Sequence, residues 1–321
     1  MRPLRVLACA LLMAGLAACG SSETPATSPS SAAPFRTVHH AMGDTVIPTQ
    51  PKRVVALDQS FVDAVLTLET PVVGFTTYRS IESALPDYLG PVVEQYGKEA
   101  TPVGTLEQPS LEKIIALKPD LIVSAKVRHE ALYDKLSKIA PTVFSETTGA
   151  IWKENLRLMG QALGKESLAE TKIKAYEERA ATIGTEIKEK RGSMPTISIV
   201  RFAGEPTTRL YVENSYSGVV MKDIGFPRPE DQPTAQDAIA VDVSQERISD
   251  LDADQIFVAT YPDPSSEGPK EKFVGNPLWG RLKGEKHEVD DLTWMSAVGI
   301  QGAHAMLDDV AEFFSVDPAK V

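Results

Sequence analysis

The sequence predicts an α/β protein of two lobes joined by one long helix. Three observations predict it: strand and helix patterns alternate from residue 53 to 145, a proline-free helical stretch fills residues 152–191, and the alternation then resumes. The 321 residues are 42% hydrophobic, enough to bury two cores of about 130 residues each.

The elements follow in order. From Arg53, "RVVAL" is a β-branched run bounded by Pro51. In "DQSFVDAVLTL", Phe61, Val62, Val65, Leu66 and Leu68 recur at helical spacing, and "PVVGFT" is a second strand. In "SLEKIIALKPDLIVSA", Ser110 is the N-cap, Leu111, Ile114, Ile115 and Leu117 form the buried stripe, Pro119 stops the helix, and Leu121 to Val123 is a buried strand. A helix over roughly Glu130 to Lys138 leads through "IAPTVFSE" to another strand. Such alternation predicts a mostly parallel sheet whose ligand crevice lies beyond the carboxyl ends of its strands.

Gly164 separates a shorter helix from a longer one over about Glu166 to Arg191, rich in Ala, Glu and Lys with pairs such as Glu170 and Lys174. At 1.5 Å per residue the longer helix spans on the order of 35–40 Å, enough to cross from one lobe to the other. "GQALGK" has the spacing G-x3-G-K followed by Glu166, which is not a phosphate loop. After "GSMP", "TISIVRF" and "LYVEN" are strands and "YSGVVMKDIGF" is a helix ended by Gly225. "ISDLDADQIFVAT" holds a helix start and a buried strand, and "NPLWGRL" and the helix "GAHAMLDDVAEFF" close the second lobe. The expected divisions are a signal peptide (1–18), a tether (19–34), a first lobe (35–165), the interlobe helix (166–191) and a second lobe (192–321).

At the N-terminus, Arg2 and Arg5 precede an apolar run from Val6 to Ala18 that is too short to span a bilayer, the pattern of a signal peptide. Leu16-Ala17-Ala18-Cys19 resembles the bacterial lipobox, which implies cleavage that leaves Cys19 lipidated, with palmitate among the chains. Ordinary secretory cleavage near Ala18 with an incidental cysteine is the competing reading. The other cysteine, Cys9, lies inside the discarded run, so the mature chain keeps one thiol and forms no internal disulfide. Residues Gly20 to Pro34, rich in Ser, Thr, Pro and Ala, cannot offset their conformational entropy by burial and read as a flexible tether. Removing Arg2 and Arg5 takes the formal net charge from −11 to −13, which argues against nucleic acid or an anionic membrane surface as partner.

The segments "KRVVALDQSFVDAVLTL", "VGTLEQPSLEKIIALKPDLIVSA", "YSGVVMKDIGFPRP", "LDADQIFVA" and "NPLWGRLKGEKHEV" stand in an order and spacing that resembles the helical-backbone substrate-binding proteins of ABC importers, in particular iron-siderophore and cobalamin receptors. The resemblance runs from about Phe35 to Phe314, and "SLEKIIALKPDLIV" is its most specific block. In detail the sequence is similar to actinobacterial lipoproteins that bind ferric hydroxamates such as desferrioxamines. This implies the class III periplasmic binding protein fold, two Rossmann-like lobes on a single long backbone helix. It also implies an iron(III)–siderophore complex as ligand, no cofactor, an ABC permease as partner, a monomer, and a lipid anchor on the extracytoplasmic face of the cell membrane.

A receptor for a saturated chelate needs no protein ligands to iron. It needs aromatic faces for hydrocarbon arms and donors for the chelating oxygens. Residues just after predicted strand ends supply the candidates: Gln59 and Phe61, Tyr78 and Arg79, Gln108, and Lys126 and Arg128 in the first lobe. In the second they are Arg201, Phe202, Arg209, Tyr211, Tyr216, Tyr261, Trp279 and Trp294. In related receptors arginines and aromatics at comparable loops contact the ferric complex. Competing readings stand for several: Trp279 as packing, Arg79 and Arg128 as solvated surface, Tyr211 as core. Glu112 in "SLEK" and Glu246 in "SQER" hold matching places near helix starts, where the resemblance implies docking onto permease arginines; the alternative is a simple N-terminal charge.

Metal ligation by the protein is not expected. His39, His40, His129, His287 and His304 include no i, i+4 pair and read as structural or exposed. The chain carries no G-x-S-x-G, H-E-x-x-H or phosphate-binding glycine loop, so an enzyme is not expected, although Ser217 beside Tyr216 leaves a lipid-anchored hydrolase as an alternative. Haem or cobalamin is the alternative cargo on the same fold.

Overall fold

Side-chain alternation sorts the core into layers. The computed structural model describes residues 33–78 and 81–320. A hairpin of β1 (Arg36–His40) and β2 (Gly43–Ile47) precedes the first sheet. Then come β3 (Val54–Ala56), α1 (Gln59–Thr67), β4 (Val72–Thr77), β5 (Thr101–Thr105), α2 (Leu111–Leu117), β6 (Leu121–Ala125), α3 (Lys126–His129), α4 (Tyr133–Leu136) and β7 (Thr142–Ser145). Their five strands pair in the order β5-β4-β3-β6-β7, all parallel. Helices α5 (Trp152–Leu163) and α6 (Glu166–Arg191) follow. The second sheet comprises β8 (Ile197–Phe202), β9 (Thr208–Tyr211), β10 (Ala240–Val243), β11 (Gln255–Thr260) and β12 (Glu285–Val289), with α7 (Tyr216–Ile224), α8 (Pro264–Val274) and α9 (Ile300–Phe314). Its order is β10-β9-β8-β11-β12, with β9 antiparallel to both its neighbours.

The period of two decides which residues meet. In β3, Val54 and Ala56 face a central core while Val55 faces an outer one, and in β11 Phe257 and Ala259 face the centre while Ile256 and Val258 face out. The central core is continuous from α1 and β4 through Trp152 and Tyr176 to Met221 and Met306, so the two sheets share it. Pro34–Val321 accordingly pack as one unit.

The expected strands and the long helix are present. Helix α6 has 26 residues, about 39 Å, and both it and α5 end at glycines in the left-handed region, Gly192 (φ 82°) and Gly164 (φ 71°). Several features differ, among them strands β10 and β12, which were not expected. The β1–β2 hairpin and β5 were not expected, because each buries few residues: Val38, His40, Thr45 and Ile47 in the hairpin and Val103 in β5. The stretch expected as one helix over 130–138 is a 3-10 turn followed by the single turn α4. The helix expected at "ISDL" is a 3-10 segment over Gln245–Leu251. Helix α8 escaped the pattern because its apolar content is low, although Asp263 caps it and Pro264 sits at its first turn.

Helices α6 and α7 cross in contact at Gly184. A Cβ there would lie 1.9 Å from the carbonyl oxygen of Ile224, a backbone atom that cannot rotate away. Gly184→Ala is therefore expected to destabilise by about 1–3 kcal/mol through overpacking, despite alanine's better helix propensity, read from urea unfolding midpoints.

Candidate functional site

The carboxyl ends of the parallel strands collect polar residues, as the topology requires. After β3, Asp58 caps α1 by accepting from the Ser60 amide (3.0 Å) and hydroxyl (2.8 Å), and its second oxygen accepts from Arg128 Nε at 3.0 Å. Arg128 also donates to the Thr148 hydroxyl at 3.4 Å. Neighbouring Lys126 pairs with Glu146 at 3.2 Å. Between the two cations Val127 stands 61% exposed, an aliphatic face on a charged rim. Below the rim, His129 locks β6 to the end of β5: Nε2–H donates to the Leu106 carbonyl and Nδ1 accepts from the Ser124 hydroxyl, both at 2.6 Å. Burial lowers the His129 pKa, so the ring is held neutral in that tautomer. Tyr78 lines a hollow of about 240 Å³ with Thr77, Ile81, Glu82, Thr105 and Glu107. Gln108 is exposed beside it.

In the second sheet Arg201, Arg209 and Asp242 are register partners across three strands. Arg201 is 3% exposed and forms a bidentate pair with Asp291, Nε to Oδ1 at 2.5 Å and Nη2 to Oδ2 at 2.7 Å, while Nη1 donates to the Tyr211 hydroxyl at 3.0 Å. Burial opposes its charge, but Tyr211 and Asp291 outweigh it and hold the guanidinium pKa above the usual arginine value. The half-buried Tyr261 ring lies 5.9 Å from the Arg201 guanidinium carbon. Arg209 pairs with Glu205.

Several expected cleft residues are placed elsewhere. Phe61 is fully enclosed in the central core on the inner side of α1. Phe202 follows Arg201 and so points to the opposite sheet face, where it packs against Phe273 and Trp279. Trp279 is 8% exposed in that outer core, and Trp294 is stacked on Phe257 with its indole N–H donating to Asp309 at 2.7 Å. Tyr216 is 4% exposed, with its hydroxyl donating to the Gly299 carbonyl at 2.8 Å and its ring edge-on to Trp152. Gln59 is buried and donates to the Thr76 carbonyl at 2.9 Å. Ser217 is buried with no hydrogen-bond partner for its hydroxyl, so no base activates it. Arg79, Cys19 and the signal peptide lie outside the described residues. Sequence reasoning missed Asp291 and Val127. Asp290 and Asp291 directly follow the β12 strand in "EVDDLTW", and the strand-end rule applied there would have found them.

Among the described residues no group of three or more His, Cys, Asp or Glu could hold a metal ion. His39 pairs with Asp44, His40 with Thr45, His287 with Gln255 and His304 with Arg179.

Two open sheets with ion-paired side chains at their strand ends are an architecture in which open α/β proteins hold ligands. The chain belongs to the periplasmic binding protein family, whose sequence model matches residues 54–287. It is 37% identical over 314 residues to the probable siderophore-binding lipoprotein YfiY of Bacillus subtilis, spanning 93% of this chain and 94% of that one. It is 29% identical over 315 residues to the Fe(3+)-citrate-binding protein YfmC of the same organism, spanning 95% and 93%. Staphylococcus aureus SirA complexed with staphyloferrin B superposes with a TM-score of 0.78 at 31% identity, over 88% of this chain and 99% of SirA.

Proposed function

We propose that the protein is a lipid-anchored, extracytoplasmic receptor that binds a ferric siderophore and delivers it to an ABC importer. The observation that carries this reading is the charge balance at the strand ends. Each described cation there stands beside a carboxylate: Arg128 with Asp58, Lys126 with Glu146, Arg209 with Glu205, Arg201 with Asp291. Such a rim offers directed N–H donors and aliphatic surface without a large net field, which suits a chelate whose iron is already saturated and whose charge is small. It supports a ferric hydroxamate of the desferrioxamine type. A ferric carboxylate complex is the second reading, favoured by relatives named for citrate and crystallised with staphyloferrin B.

In this reading Arg128, Lys126, Val127, Tyr78, Arg79, Gln108, Arg209 and Tyr261 form the contact rim, and Arg201 with Tyr211 forms its buried support. Cys19 is the anchor, and no helix among the described residues is long and apolar enough to cross a membrane. Glu112 and Glu246 are the docking charges for the permease. Both are exposed in the first turn after a serine, and a Ser244 hydrogen bond holds the Glu246 carboxyl below the usual range, fully ionised at neutral pH.

Calorimetric titration of the chain from Gly20 onward tests the cargo. Submicromolar binding of ferrioxamine B, absent for the iron-free chelator, is the expected result, and Arg128→Ala should weaken it about tenfold or more. Binding of ferric citrate with silence toward hydroxamates would install the second reading. Responses confined to haem or cobalamin would discard both.

A further inference from the structure

Away from the strand ends, a cavity of about 850 Å³ opens where the two halves meet beside α6. Such a volume is within the range of small-molecule sites, roughly 300–1,000 Å³. Two helix faces and one loop build it. Leu168, Lys172, Ala175 and Arg179 recur along one face of α6, and Ile300, His304 and Asp308 along one face of α9. The 89–92 loop and Thr67 close it from the first half, and Lys320 from the second.

Its polar groups are not balanced. Asp308 serves two cations, Arg179 at 2.5 Å and Lys320 at 3.2 Å. Lys172, half-buried on the same wall, makes no salt bridge among the described residues. His304 adds a donor of fixed direction. Arg179 can only donate, so at 3.1 Å the His304 Nδ1 accepts and Nε2 carries the proton. Burial first, then the Arg179 charge, push the His304 pKa down to about 4, against a raising effect of Asp308 and with a smaller lowering from Lys172. At neutral pH the ring is therefore a neutral N–H donor in the same cavity as the Lys172 ammonium, which has no salt-bridge partner among the described residues, in a chain whose net charge is −11. Leu168, Ala175, Ile300 and Val92 supply the apolar walls.

We propose that this cavity is a second ligand site, distinct from the cargo cleft, for a small carboxylate carried on a compact apolar body. Lys172, unpaired among the described residues, and one N–H match a single acceptor-only group with two oxygens, and the apolar walls reward a hydrocarbon body rather than a bare inorganic anion. Because its walls come from both halves, such a ligand brings them under one set of contacts. The proposal does not depend on the identity of the cleft's cargo.

Benzoate, its uncharged isostere benzamide, and inorganic phosphate separate the possibilities on the chain from Gly20 onward, which contains the whole packed unit Pro34–Val321. Benzoate should raise the melting temperature saturably and move the His304 ring signal in the NMR spectrum. Benzamide should bind about tenfold more weakly or not at all, and Lys172→Met should weaken benzoate by about tenfold while leaving cleft-ligand affinity within about twofold. The proposal is overturned by the absence of saturable benzoate binding, by equal binding of benzamide, by tighter binding of phosphate, by wild-type affinity in Lys172→Met, or by shifts at other histidines without His304.

Discussion

Asp291→Ala is expected to lower the unfolding free energy by about 3–5 kcal/mol, the cost of leaving a buried charge without its partner. Both side chains of the Arg201–Asp291 pair are under 5% exposed, at 4% and 3%, and the carboxylate takes two of the guanidinium donors at 2.5 and 2.7 Å. With Asp291 gone, Arg201 keeps the Tyr211 hydroxyl and the Tyr261 face, neither of which carries a compensating negative charge. Urea unfolding of three proteins decides the matter. The double variant Arg201→Met with Asp291→Leu should return to within about 2 kcal/mol of the wild type, because well-packed apolar residues often replace a buried pair at little cost. A double variant as unstable as the single one would mean that packing, not the stranded charge, is responsible. The same pair separates stability from function, since the double variant should fold yet bind the cargo more weakly when the rim loses its support.

Asp63→Asn is expected to flatten the pH dependence of stability between about pH 4 and 7. Asp63 projects from α1 and accepts from the amides of Gln301 (3.0 Å) and Gly302 (3.3 Å) in the first turn of α9, so a side chain of the first half caps a helix of the second. The fit is close: a Cβ on Gly299 would lie 2.3 Å from the carboxyl carbon. Complete burial raises the Asp63 pKa from 3.8 to about 7, although Gln301, Gly302, Thr67 and Ile300 each stabilise the anion. Among the described residues the titratable groups that interact with it are the Tyr88 and Tyr216 hydroxyls, both themselves raised by burial, and no cation contributes to its shift. A raised folded-state pKa means that the native protein holds a proton which the unfolded chain releases between those two values. Its contribution to stability is therefore full below about pH 4, falls by about 1.4 kcal/mol per pH unit as pH rises, and levels off above about pH 7. Removing the ionisation removes that slope. Unfolding curves for Asp63→Asn that run parallel to the wild type across this window would show that Asp63 titrates as an ordinary exposed carboxyl.

The lobes and their joining helix were legible because buried strands and amphipathic helices must repeat with periods of 2 and 3.6. "RVVAL", "DLIV", "TISIV" and "QIFVA" each contain a strand, and "SLEKIIAL" is α2 with its Ser110 cap. The site was legible in part. The strand-end rule named Tyr78, Lys126, Arg128, Arg201, Arg209 and Tyr261, and the structure puts each of them at or beside a strand end. It failed where an aromatic belonged to the core, because a local pattern does not say which face of the sheet a residue takes. Phe202 and Arg201 are adjacent and point to opposite faces.

By itself the sequence determined the class of fold, the order of its most buried strands and longest helices, the length of α6 and the chemistry available at the strand ends, since all of these depend on local periodicity and residue type. The tertiary structure decided the rest. It paired the strand-end cations with carboxylates, joined the inner faces of both sheets in one central core, seated Asp63 under α9 and left Lys172 with no salt bridge among the described residues beside a cavity. These depend on contacts between residues far apart in the chain, such as 63 with 301 and 201 with 291. Their energies are set by burial and direction, neither of which a linear pattern carries.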